Sequence, residues 1–156
     1  MTRILLAVDG SDHDVSSTRW LGRLFGGAAG STEVTVLTVA HLRLPVPPPL
    51  RPGFVPHIPS QEEMRDMEAQ TRTEADALVT AVQTDLEAYG FSVTTRVEWG
   101  PTADVIVKVA ETGEHDLIAI GQRGAGRVAD LIIGSVSDRV IRRARIPVIV
   151  MPATAE

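Results

Sequence analysis

Residues 121–135 read Gly-Gln-Arg-Gly-Ala-Gly-Arg-Val-Ala-Asp-Leu-Ile-Ile-Gly-Ser, and their two flanks decide the fold. Before them runs Asp116-Leu117-Ile118-Ala119-Ile120, an unbroken apolar stretch of the kind that forms a strand buried on both faces. After them, residues 136–143 place Val136 and Val140 one helical turn apart, as one face of a helix requires. Strand, glycine-bearing loop and helix start make a natural anion site. Glycines let backbone approach a ligand, and the first N–H groups of a helix have no partner inside it.

Two familiar phosphate loops do not fit. Gly121 and Gly126 have the Walker spacing, but Arg127 and Val128 stand where that motif needs Lys and a hydroxyl. A dinucleotide fingerprint beginning at Gly124 would need an acid roughly 20 residues later, at the end of the next strand. That strand, residues 148–151, contains none.

Outward from this segment, strands and helices alternate along the whole chain. Strands are expected at residues 4–8, 34–39, 91–99, 116–120 and 148–151. The first helix is expected to be capped by Ser11, with Asp14 in its first turn and Leu21, Leu24, Phe25 and Ala28 facing inward. Gly26, Gly27 and Gly30 end it. Seven prolines make residues 44–59 an irregular loop. Ser60 and Glu63 form a capping box that opens a long helix, whose stripe is Ala75, Leu78, Val79, Val82 and Leu86 and which Gly90 stops. Pro101 opens the third helix and Gly113 closes it. The last helix is expected to bury Val136, Val140, Ile141 and Ala144. Five strands alternating with helices read as one α/β domain over residues 1–156, a doubly wound parallel sheet with helices on both faces, Rossmann-like.

Composition bounds the rest. A chain of 156 residues suits a single domain that hides about two thirds of its unfolded surface. A net charge of −5 argues against nucleic-acid and anionic-membrane partners. No apolar run approaches the roughly 20 residues of a membrane span. The absence of cysteine excludes disulfides and thiolate metal sites and fits a cytoplasmic address.

Gly121, two residues, Gly124, nine residues, then Gly134-Ser135 resembles the nucleotide-binding signature of the universal stress protein family, in its ATP-binding branch. Three further segments match the family in order: residues 4–11 ending in Asp9-Gly10-Ser11, Gly100-Pro101-Thr102-Ala103, and residues 147–152. The resemblance covers essentially the whole chain. It implies strand order 3-2-1-4-5, so that the chain reversal lies between the first and fourth strands, where such sheets bind ligands. Asp9 and Gly121 end those two strands.

The resemblance also implies a site. Ala7 and Val8 flank the adenosine, Asp9 accepts from a ribose hydroxyl, and Val39 and Ile120 lie at the ends of neighbouring strands. Gly121 and Gly124 wrap ribose and phosphate. Gly134, Ser135, Val136 and Ser137 present N–H and hydroxyl groups to the phosphates, with Arg127 able to add a guanidinium fork. Gln122 departs from the small hydroxyl residue common in the family. The implied ligand is ATP with Mg²⁺, for which Asp9 and Asp12 are the nearby acids, and the implied assembly is a homodimer joined by the C-terminal strand.

Other residue types carry no second motif. His13, His41, His57 and His115 have no metal spacing and read as surface or loop residues. Trp20 and Trp99 read as core or interface anchors. Arg142, Arg143 and Arg145 sit at a helix end whose dipole explains them. The chain is thus expected to be an ATP-binding regulatory protein of the stress response. A slow Mg²⁺-dependent ATP hydrolase, a cyclic-AMP-binding protein and a nucleotide-free dimeric interaction module stay open as alternatives. The sequence leaves any protein partner unspecified.

Overall fold

Ile4, Leu5 and Leu6 are all fully buried, which a strand achieves only when both of its faces are covered. They belong to β1 (Thr2–Val8), the middle strand of a five-stranded sheet. The computed structural model describes residues 1–11, 13–42, 58–122 and 133–152. In chain order the remaining elements are α1 (His13–Phe25), a 3₁₀ helix (Gly26–Ser31), β2 (Thr32–Ala40), α2 (Gln61–Glu87), β3 (Ser92–Trp99), α3 (Thr102–Thr112), β4 (Leu117–Gly121), α4 (Ser135–Arg143) and β5 (Val148–Met151). All strand pairs are parallel and the order is β3-β2-β1-β4-β5, as expected.

The side-chain period of two sorts the core into two layers. Ile4, Leu6, Val34 and Val36 point to the face covered by α1 and α2, where they meet Leu21, Val79, Val82 and Leu86. Leu5, Leu37, Ile118 and Ile120 point to the other face, against Ala103, Ile106 and Ala110 of α3 and Val140 of α4. Each fully buried Leu or Ile contributes about 1.5–3 kcal/mol relative to exposure. These layers fix the register and carry most of the fold.

Local signals work as anticipated in α2. The Ser60 hydroxyl accepts from the Glu63 N–H at 3.2 Å, and the Glu63 carboxylate accepts from the Ser60 N–H at 2.7 Å. Gly90 follows the helix at φ +87°, a value that favours glycine. Elsewhere the structure corrects the reading. Leu24 and Ala28 are exposed, and α1 instead buries Asp14, Ser17, Thr18 and Leu21. Ser11 does not cap through its side chain: its backbone carbonyl accepts from the Asp14 N–H at 3.0 Å, and its hydroxyl finds no partner among the described residues. Ile141 is exposed, whereas Val140 is fully buried. His115 is no surface residue. It is buried, with Nε2 3.0 Å from the Thr35 hydroxyl and Nδ1 3.3 Å from the Ala110 carbonyl. Burial, the largest influence, holds its pKa below the usual histidine value, and the nearby Arg3 charge acts the same way.

Trp99 is partly exposed, and Trp20 lies half-buried beneath the Arg23 guanidinium, 5.1 Å from the ring centroid. At the end of α4, Arg142 binds Asp138 one turn back at 3.0 Å, and Arg143 pairs with Asp104 of α3. Arg142 and Arg143 thus act through ion pairs with named carboxylates, not through the helix dipole alone. Most of residues 44–59 lie outside the described residues.

Candidate functional site

Strands β1 and β4 run side by side from Ile4↔Leu117 to Ala7↔Ile120, so they deliver their C-terminal ends to one place. From β1 the chain passes through Asp9-Gly10-Ser11 into α1. Gly10 has φ +80°, which lets this turn close tightly. Its successive N–H groups are then taken by two carboxylates. Asp14 reaches back from α1 to accept from Gly10 at 2.7 Å and from Asp9 at 3.4 Å. Asp9 accepts from the Ser11 N–H at 3.1 Å.

The opposite wall is α4. The Gln122 carbonyl accepts from the Gly134 N–H at 2.8 Å, and the Ser137 hydroxyl donates to the Gly121 carbonyl at 2.7 Å. These bonds hold the first turn of α4 against the end of β4. Gly134 is the N-cap and supplies no side-chain cap to the N–H groups at the start of α4. A third element closes the side. α3 begins after Pro101, and its Thr102 hydroxyl lies 2.7 Å from Nε2 of His41, at the end of β2.

Between them lies a small cavity of about 70 Å³. Ile106, Ile120 and Val136 give it apolar surface, Asp9 and Asp14 an acidic side, and Thr102 and Ser137 polar contacts. Of the residues singled out from sequence, the cavity gathers Ala7, Val8, Asp9, Ile120, Gly121, Val136 and Ser137. Gly134 and Ser135 stand at the start of α4 beside it. Val39 packs into the core under α3 and is not on the wall. Gly124 and Arg127 lie outside the described residues, as do Asp12 and Arg123. Asp14, Thr102 and Ile106 were not anticipated as site residues. Thr102 and Ile106 are one turn apart on α3, a spacing visible in the sequence, but only the topology turns that face toward Asp9.

Among the described residues no group of three or more His, Asp or Glu converges to hold a metal ion. Nor, among them, is any helix long and apolar enough to cross a membrane.

Residues 1–152 match the family model described as universal stress protein family. The chain belongs to that family. A universal stress protein of Thermus aquaticus, encoded beside a sulfhydrylase gene, is 32% identical over 149 residues, which are 95% of this chain and 96% of that one. Among solved structures, protein MJ0577 superposes with a TM-score of 0.79 at 22% identity, over 99% of this chain and 98% of that one. An Arabidopsis thaliana universal stress protein family member solved with AMP bound gives 0.69 at 19% identity, over 99% and 94%. A universal stress protein in complex with cAMP gives 0.67 at 17% identity, covering 98% of both chains. At such identities these neighbours establish the shared fold.

Proposed function

We propose that this universal stress protein is an ATP-binding regulator of a stress response, acting through nucleotide-dependent conformation or partner binding in the cytoplasm. One observation carries the reading: the cavity between β1 and β4 is electrically polarised. Asp9 and Asp14 line one side, and the uncapped start of α4, with its partial positive charge, lies on the other. An adenine nucleotide has matching polarity. Its ribose hydroxyls donate toward Asp9, its phosphates meet the N–H groups of Ser135, Val136 and Ser137, and apolar side chains accommodate its base. Relatives solved with AMP and with cAMP support an adenine nucleotide as the ligand.

Regulation fits better than hydrolysis. Asp9 and Asp14 are both engaged by backbone N–H groups of the turn, which favours a structural and ligand-holding role over proton transfer. Mg²⁺ would enter on the phosphates themselves, keeping several waters, as that ion commonly does. The edge strand β5, with Val148, Ile149 and Val150 only half-buried, would be covered by the same strand of a second copy.

Mass spectrometry of small molecules released from freshly purified protein, followed by calorimetry with added ATP, tests the reading. Nucleotide should bind the parent and be lost from Val136→Trp, which fills the cavity. A parent that neither carries nor binds an adenine nucleotide overturns it.

A further inference from the structure

We infer that Asp14 makes the cavity selective for nucleotides with an unesterified ribose, favouring AMP and ATP over 3′,5′-cyclic AMP; this rests on the nucleotide reading above. Successive backbone N–H groups at a turn that includes a positive φ form a concavity that binds anions. The Asp9-Gly10-Ser11 turn has that character, with Gly10 at φ +80°. In this chain the concavity is already filled by the protein's own carboxylates: Asp14 takes the Gly10 and Asp9 N–H groups, and Asp9 takes that of Ser11. A ligand phosphate cannot claim these donors without displacing a carboxylate.

Burial separates the two acids. Asp9 is exposed, so water and salt weaken its field, whereas Asp14 is only 8% exposed while still bordering the cavity. Its carboxylate, tied to the Gly10 and Asp9 N–H groups, is a fixed acid on the cavity wall. A free ribose offers hydroxyl donors to this acidic side. A 3′,5′-cyclic phosphate removes the 3′ donor and shares its negative charge onto the 3′ oxygen, next to two carboxylates. Like charges brought together in a partly dry site repel. The starts of α3 and α4, which attract anions, also border the cavity and can take a 5′ phosphate that is not tied back to the 3′ oxygen.

Calorimetric titration of the full chain with AMP and cyclic AMP, in parent and Asp14→Asn, tests this. The parent should prefer AMP by at least about tenfold, equivalent to 1.4 kcal/mol. Asp14→Asn should narrow that ratio, chiefly by tightening cyclic AMP. Asp14→Ser serves the same purpose should the amide not fold, as judged by thermal melting. If neither variant folds, the parent alone decides: cyclic AMP should bind more weakly than the 5′-monomethyl ester of AMP, which carries the same single phosphodiester charge but keeps a free ribose. Equal affinities in the parent, or a ratio unchanged in a folded Asp14 variant, overturn the role of Asp14 while leaving nucleotide binding intact. Failure of every nucleotide to bind overturns both.

Discussion

The Ser137 hydroxyl donates to the Gly121 carbonyl at 2.7 Å, fastening the first turn of α4 to the last residue of β4. Ser137 is 3% exposed, so water does not replace this bond if it is removed. Ser137→Ala should lower stability by about 1–2 kcal/mol in urea unfolding, the cost of a buried acceptor left without its donor. It should also weaken nucleotide binding, because α4 loses a tie to the end of β4. Unchanged stability would mean that the bond contributes nothing net.

Gly113, which follows α3, packs too closely for a side chain. A Cβ there would stand 2.5 Å from Cε1 of His115 and 2.8 Å from the Val109 carbonyl oxygen. The imidazole is hydrogen-bonded in place and the carbonyl belongs to the helix backbone, so neither yields easily. Gly113→Ala should therefore destabilise by about 1–3 kcal/mol, the usual cost of overpacking. A melting temperature equal to or above that of the parent would contradict this.

His115 gives stability a pH dependence with a defined sign. Burial lowers its folded-state pKa below 6.5, so the unfolded chain binds the extra proton more readily. Its contribution is complete above about 6.5 and is lost as pH falls through the lower folded-state value. Urea midpoints for the parent should thus decline below that pH more steeply than those of His115→Asn. Parallel curves for the two proteins would remove His115 from the explanation.

Ile149 lies at the middle of the edge strand β5, half-buried beside the core. If β5 is the dimer contact, Ile149→Lys should shift sedimentation at micromolar concentration from dimer to monomer. A parent that already sediments as a monomer would exclude that assembly.

Much of this architecture was legible in the sequence because parallel strands buried on both faces appear as continuous apolar runs. The capping box at Ser60 and Glu63 was legible because both halves of its mechanism are side chains at fixed spacing. The inner face of α1 was not. Its buried positions Asp14, Ser17, Thr18 and Leu21 follow helical spacing but are mostly polar, so the apolar pattern drew attention to Leu24 and Ala28 on the outside. The same polarity hid Asp14 from the site, since an acid in a first turn is ordinarily explained by the helix dipole. Seven cavity residues were anticipated at the strand and helix ends, where topology and motif agree. Thr102 and Ile106 were missed because no local pattern tells which face of α3 looks across the sheet end.

Strand β1 is bonded on both sides at the centre of the sheet, while α4 and β5 form its margin. Central strands open at a cost near that of global unfolding, whereas margins open more cheaply. The cavity has one wall on each, so a ligand gripping both acts as a reversible cross-link between slow-opening and fast-opening parts of the molecule. Bound nucleotide should slow amide exchange at Val140 and Ile149 far more than at Leu5. Ligand occupancy would then be reported at the sheet margin, the surface on which a second chain could read it.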